Sequence, residues 1–446
     1  MSAGETKPIR PAAGRQADCV IARCRELALC TDVPATITRT FLAPSMHRVH
    51  ALVGEWMRAA GMNVSVDAAG NLRGLLAAAD PRAPRLIIGS HLDTVANAGA
   101  FDGILGVILG VALAQTFAAE TAGQQSPFAI EVIGFSEEEG VRFGKPFLGS
   151  LALIGQLDPA TLALTDANGV SVASAIRDFG LDPAELPAAV IDPSAFAYLE
   201  FHIEQGPVLE SEGHAIAVVD AIAGQTRMEF TFTGHANHAG TTPMGPLRHD
   251  ALAAAAEWIV EVERYANACD GLVATVAKVD SSSRAGNVIA GRFVASLDVR
   301  HADNATRSAA VSYLADFAQA CARSRGVSAA CAISVDQPAV SMDTDLSRLL
   351  FLIASVAAAN EVLPRFITSG AGHDAMVIAR RVPSAMLFLR SPGGLSHHPN
   401  ESVLAGDVAA AFTAGLSFLR TLRDDKTVLE GLLRNAILEH GKAAHA

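Results

Sequence analysis

Short apolar runs of β type alternate with helical patterns along much of the chain, and the runs end where polar clusters begin. Arg85–Ser90 leads into His91. Ala129–Phe135 leads into Ser136 and three consecutive glutamates. Ala197–Phe201 carries His202, and Ser384–Arg390 precedes a glycine-rich loop that holds His397. Helical patterns lie between or after these runs, at Ile104–Thr116 and Val408–Leu422. Strands alternating with helices predict an α/β domain, a mostly parallel sheet covered on both faces. Ligands of such sheets gather beyond the carboxyl ends of the strands, and all of these polar clusters fall at or near that edge.

A different rhythm fills the middle. Arg227–Thr233 reads as a strand, Arg248–Tyr265 as an Ala-rich helix, and Gly271–Asp280 and Gly291–His301 as two strands joined by a polar turn. Asn304–Ser324 follows as a helix and Ser328–Val340 as a strand. The order β-α-β-β-α-β is a split βαβ (ferredoxin-like) α+β unit that can fold by itself. The expected organisation is a first catalytic part over residues 17–223, a smaller inserted domain over 224–338, and a second catalytic part over 339–446. The pattern after Asp424 reads as one more helix.

Composition sharpens this picture. At 446 residues, two domains are the default. Half the residues are hydrophobic but only 5% are aromatic, so the core is mainly Ala, Val, Leu and Ile. A net charge of −12 argues against nucleic acid or an anionic membrane as partner. The six cysteines are scattered without a CxxC, as expected of reduced thiols in a cytoplasmic protein. Met1–Arg15 is polar and lacks an apolar signal-peptide core. The longest apolar stretch, Gly103–Ala119, is broken by Gln115 and Thr116 and reads as a buried helix rather than a membrane span.

The clusters carry the candidate chemistry. In Gly89-Ser90-His91-Leu92-Asp93-Thr94, Asp93 can sit behind His91 and orient a metal-bound imidazole; a plain hydrogen-bonded surface pair is the rival. Asp102, in Phe101-Asp102-Gly103, offers two oxygens that can bridge paired cations. Glu137-Glu138-Glu139 is either a solvated loop or a ligand beside a general base. His202 is followed by Glu204, Gln205 and Gly206, which raises the ligand reading over that of a core histidine. Of the adjacent His397 and His398, at most one faces an ion. Mixed imidazole and carboxylate ligation suits Zn²⁺, Mn²⁺ or Co²⁺. In the inserted domain, His235 and His238 lie in a Gly/Thr loop that either caps a helix or stabilises an oxyanion. Asn287 falls in a polar turn. Arg300 can grip a substrate carboxylate or form an ordinary salt bridge.

Taken together, the chain resembles the amidase and carbamoylase branch of the M20 metallopeptidase family. The matching segments are GSHLDTV at 89–95, FDG at 101–103, EEEGVRF at 137–143, HIEQGPVLE at 202–210, AGQTR at 223–227, NHAGTTPM at 237–244, GAGHDA at 370–375 and GLSHHPNE at 394–401. Three positions depart from the usual pattern: Ala98 for glycine, Glu137 for aspartate and Ala290 for proline.

The resemblance implies a dinuclear centre with two divalent cations per subunit, Zn²⁺ or Mn²⁺, with Co²⁺ also suitable. His91, Asp102 and His202 would hold one ion. Asp102, Glu139 and His397 would hold the other, with Asp93 behind His91. Glu138 corresponds to the general base. Gln225, His238, Asn287 and Arg300 correspond to substrate-binding positions, His238 reaching a partner subunit's site to polarise the scissile carbonyl and Arg300 holding a carboxylate. A homodimer built through residues 224–338 is implied too. The expected reaction is hydrolysis of a ureido C–N bond in a small carboxylate substrate, allantoate first. The stretch Glu138–Phe143 continuing to Phe147–Ser150 suggests that substrate. An N-carbamoyl-L-amino acid is the alternative, and peptidase or deacylase activity a more distant one.

Overall fold

The computed structural model describes residues 10–121, 126–358 and 363–443; residues 1–9 of the polar N-terminal stretch lie outside them. The chain divides into two compact units. The larger comprises residues 1–220, 342–367 and 372–446, and the smaller comprises 221–341 with 368–371. The pattern assigns 368–371 to the second catalytic part, yet this segment belongs to the smaller unit, where Ser369 accepts a hydrogen bond from the Ala223 amide (2.9 Å).

The main sheet has nine strands among the described residues. Its centre is parallel: Ala129–Phe135, Arg85–His91, Ala195–Ile203 and Ser384–Leu389 lie side by side in that order. The flanks are antiparallel. Leu72–Leu76 pairs with Ala129–Phe135, and Ile216–Ile222 with Ser384–Leu389. The expectation of a mostly parallel sheet therefore describes the centre. There three strands are buried along their whole length and Arg85–His91 everywhere but Arg85, as crossover helices on both faces require.

Side-chain alternation divides the Ala195–Ile203 strand between two faces. Ala197, Leu199, Phe201 and Ile203 join the main hydrophobic core with the helix Ile104–Glu120. Tyr198, Glu200 and His202 point the other way, and Glu200 meets the start of the helix Asp374–Ile378. Gly106 brings the helix Ile104–Glu120 down onto this strand, since a Cβ there would stand 2.1 Å from the Phe201 carbonyl oxygen. No helix among the described residues is long and apolar enough to cross a membrane.

In the smaller unit an antiparallel sheet runs in the order Ser328–Gln337, Gly224–Thr233, Arg292–His301 and Val273–Thr275, with Val279–Ser281 also on Arg292–His301. The helices Ala251–Ala268 and Asn304–Ser324 cover one face. Their shared core centres on Trp258, whose indole N–H donates to the Leu314 carbonyl (3.0 Å). The single strand expected over 271–280 is two short ones. Ala295 pairs with Val279 and Asp298 with Thr275, so one extra residue sits on the 275–279 side. Such a bulge interrupts the ladder, and the Ser296 hydroxyl accepts the Lys278 amide there (2.9 Å).

Candidate metal centre

The centre grows from the ends of the parallel strands. Past His91 the chain leaves the sheet, held by Arg39, a fully buried arginine. Its guanidinium donates to the carbonyls of Leu27, Cys30 and Leu92, while its backbone exchanges hydrogen bonds with Thr94. Gly103 then closes the turn after Asp102. Its φ of +68° favours glycine, and a Cβ would lie 2.4 Å from the His91 ring.

Three ligand-type groupings result: His91 with Asp102 and His202, His91 with Glu138 and Glu139, and Asp102 with Glu139 and His397. His91 Nδ1 donates to the Asp93 carbonyl (3.0 Å) and His202 Nδ1 to the Ile203 carbonyl (2.9 Å). Both Nε2 atoms are thereby turned toward each other, 3.4 Å apart. Asp102 Oδ1 lies 3.4 Å from His202 Nε2, and Oδ2 lies 3.2 Å from His397 Nε2 without hydrogen-bond geometry. His397 Nε2 is also 3.5 Å from Glu139. The backbone at His397 is left-handed, with φ +55°, an uncommon conformation for a side-chain-bearing residue. His398 is exposed, and its Nδ1 accepts the Asn400 amide.

The hydrogen bond from His91 Nδ1 ends on the backbone carbonyl of Asp93 rather than on its side chain. The Asp93 carboxylate lies 3.4 Å from His91 Nδ1 and accepts the amides of Glu138 (3.0 Å) and Glu139 (3.1 Å). One side chain thus ties the His91 segment to the glutamate turn.

The electrostatics favour cations. Burial pushes the Glu138 carboxyl well above its ordinary value; His91 opposes that, while Glu139 and Asp374 add to it. Burial and Asp102 drive Glu139 up to about 8. His202 is lowered to about 4, chiefly by burial. A cluster of buried carboxylates with imidazole nitrogens facing inward, and one Asp102 oxygen without a hydrogen bond, is the donor set a hard or borderline divalent ion takes.

Several supporting side chains have no assigned role in the sequence reading. Glu401 accepts the amides of Phe101 (2.9 Å) and Asp102 (3.0 Å) and the Ser396 hydroxyl (3.2 Å), joining two ligand loops. Gln205 Nε2 donates to Asp102 (3.0 Å) and Ser396 (3.2 Å). Glu200 accepts from Ser90, Tyr198 and the Ala375 amide. For Glu200 the signal is the two-residue spacing from His202 that places both on one face, while Gln205 and Glu401 lie within the HIEQGPVLE and GLSHHPNE segments.

The remaining candidates lie in the smaller unit. Gln225 and Arg300 are directly paired across adjacent strands. Gln225 Nε2 donates to Gln337 (3.0 Å), and its Oε1 is buried without a partner. His238 forms an isolated bridge with Val288, and the Ala239 amide donates to the Asn287 carbonyl (2.8 Å), so His238 and Asn287 sit on neighbouring loops. His235, the loop's other histidine, donates its backbone amide to the His249 carbonyl (2.8 Å).

Residues 87–421 match the description of peptidase family M20/M25/M40. The chain belongs to that family. It is 39% identical over 433 residues to allantoate deiminase 2 of Glycine max, covering 91% of this chain and 89% of the relative. It is 38% identical over 367 residues to an N-carbamoyl-L-amino acid amidohydrolase of Geobacillus stearothermophilus, covering 82% and 88%. A hydantoinase/carbamoylase family amidase from Burkholderia ambifaria has a similar structure, with TM-score 0.82, 33% identity and 91% and 97% of the two chains covered. M20 family enzymes use divalent metal ions, and His91, Asp102 and His202 form a grouping of ligand-type atoms among the described residues.

Proposed function

We propose that this M20 member hydrolyses the ureido C–N bond of allantoate at a centre of two divalent cations. His91, Asp102 and His202 would hold one ion, and Asp102, Glu139 and His397 the other; Zn²⁺, Mn²⁺ and Co²⁺ all suit these donors. The observation that carries the reading is the meeting of these groupings beside the buried Glu138, in a chain 39% identical to an allantoate deiminase over 91% of its length. Divalent cations bound there supply Lewis acidity and lower the pKa of a water from about 15.7 toward about 7.

The protein's own residues do the rest. Glu138 takes the proton from the attacking water and returns it to the departing nitrogen as the C–N bond breaks. The carbamate half then decays to ammonia and carbon dioxide. Arg300 grips the substrate carboxylate by its planar fork. Gln225 and Asn287 present amide groups to the ureido portion, and His238, from a second copy of the chain, polarises the scissile carbonyl. Pairing of copies through residues 224–338 is supported by the edge strand Ser328–Gln337, mostly exposed and carrying Ile333 at 57% exposure.

The test is ammonia release after loading with each metal. Substrates are allantoate, ureidoglycolate, N-carbamoyl-β-alanine and several N-carbamoyl-L-amino acids. Allantoate is expected to give the highest kcat/KM. A preference for an N-carbamoyl-L-amino acid would replace the substrate, and activity on dipeptides alone would overturn the ureido reading. Glu138→Gln should retain metal while losing turnover by at least about 10²-fold, the scale of a general base; a near-normal rate would remove Glu138 from that role.

A further inference from the structure

Arg300 does not stand free on its strand. Asp298, two residues earlier and therefore on the same face, accepts Arg300 Nε on Oδ1 (2.9 Å) and NH2 on Oδ2 (3.0 Å). The third anchor is the Gly370 carbonyl, which accepts NH1 at 2.6 Å. A guanidinium has five N–H donors. These contacts use the side-on edge and one further hydrogen, leaving one N–H on each terminal nitrogen. A carboxylate can take charge-assisted hydrogen bonds from these remaining donors.

Asp298 is itself held. It pairs across the ladder with Arg227, whose Nε donates to Oδ2 (3.0 Å). Burial opposes ionisation of Asp298, but its hydrogen bonds to Arg300 and Arg227 prevail and keep the carboxyl below its ordinary value. The carboxylate is thus shared between two arginines. Only Arg300 stands opposite Gln225, whose buried Oε1 has no partner. On this face one side chain offers N–H groups and its neighbour an acceptor, a complement to a molecule bearing both a carboxylate and an N–H.

We infer that Asp298 is a positioning residue for substrate selection: it fixes the plane of the Arg300 guanidinium so that the fork is set before a carboxylate-bearing ureido compound arrives. The inference rests on the reading of Arg300 as the carboxylate grip. A free arginine must give up rotamer freedom on binding, and a pre-set one does not, so the effect appears in binding rather than in bond cleavage.

The experiment compares the metal-loaded enzyme with Asp298→Asn, Asp298→Glu and Arg300→Ala. Each is assayed on the best ureido substrate and on its primary-amide counterpart, with metal content measured. Asp298→Asn is expected to raise KM for the carboxylate substrate about ten-fold, leave kcat within about two-fold, and leave KM for the amide unchanged. Asp298→Glu keeps the charge but not the reach and should rescue only in part. Should Asp298→Asn fold poorly, calorimetric binding of a non-hydrolysed carboxylate analogue to Asp298→Glu gives the same comparison. An unchanged KM in Asp298→Asn, with Arg300→Ala raising it, overturns the positioning role alone. An unchanged KM in Arg300→Ala overturns the carboxylate grip beneath it. Equal losses on acid and amide would make Asp298 merely structural.

Discussion

Phe179 lies against two histidines of the helix Pro44–Ala59: His47 stacks on its ring at 3.9 Å, and His50 meets it edge-on at 5.5 Å. His50 is buried, and its Nε2 has no partner. Burial, with a smaller contribution from His47, lowers its pKa from 6.5 to about 4. The folded protein therefore keeps His50 neutral where the unfolded chain already binds a proton. Its contribution to stability is fully present above pH 6.5 and is lost as pH falls from there through about 4, amounting to about 3 kcal/mol across that window. His50→Leu should flatten this part of the Tm-versus-pH curve relative to the native chain; parallel curves would assign acid sensitivity elsewhere. The same scale separates what sequence can and cannot tell. His91, His202 and Glu138 stand out because each interrupts or ends an apolar run. Glu401 does not, because its partners Phe101 and Asp102 lie 300 and 299 residues away and nothing local marks the contact.

The helix Ile104–Glu120 and the strand Ala195–Ile203 show how elements fix the centre. Asp102 precedes the helix and His202 lies near the end of the strand, so their separation depends on how closely the two pack. Gly106 sets that distance. Alanine would gain about 1 kcal/mol in helix propensity, but its Cβ would stand 2.1 Å from the Phe201 carbonyl oxygen and 2.9 Å from Ser90 Cβ. Backbone yields less readily than a flexible side chain, and overpacking of this kind costs about 1–3 kcal/mol. Gly106→Ala should therefore lower Tm by a few degrees and weaken metal binding; a rise in Tm would mean that helix propensity wins. The helix itself was legible, since an apolar stretch of its length can only be buried. The bulge in the smaller unit was not, because it depends on the Ser296 side chain taking a place in the ladder that a one-dimensional pattern assigns to backbone.

On the scale of the whole molecule, negative charge is distributed unevenly. The net charge is −12, and the larger unit buries Asp93, Asp102, Glu137, Glu138, Glu200, Asp374 and Glu401 around one centre. No metal-type grouping occurs in the smaller unit among the described residues; its core is Trp258 with phenylalanine, leucine, valine, methionine and alanine. Gathering carboxylates in a low-dielectric interior costs free energy unless cations or protons compensate. The larger unit should accordingly depend on divalent metal for stability and the smaller one should not. A ligand at 100 times its Kd stabilises the state that binds it by about 2.7 kcal/mol per site. In scanning calorimetry, chelation is expected to move the larger unit's transition down by several degrees and leave the smaller unit's in place. Mn²⁺ or Zn²⁺ should restore the first transition. If neither transition moves, the carboxylates are compensated by protons and the centre does not hold a cation in the folded protein. If both move together, the units unfold as one, and the separate cores do not confer separate stability.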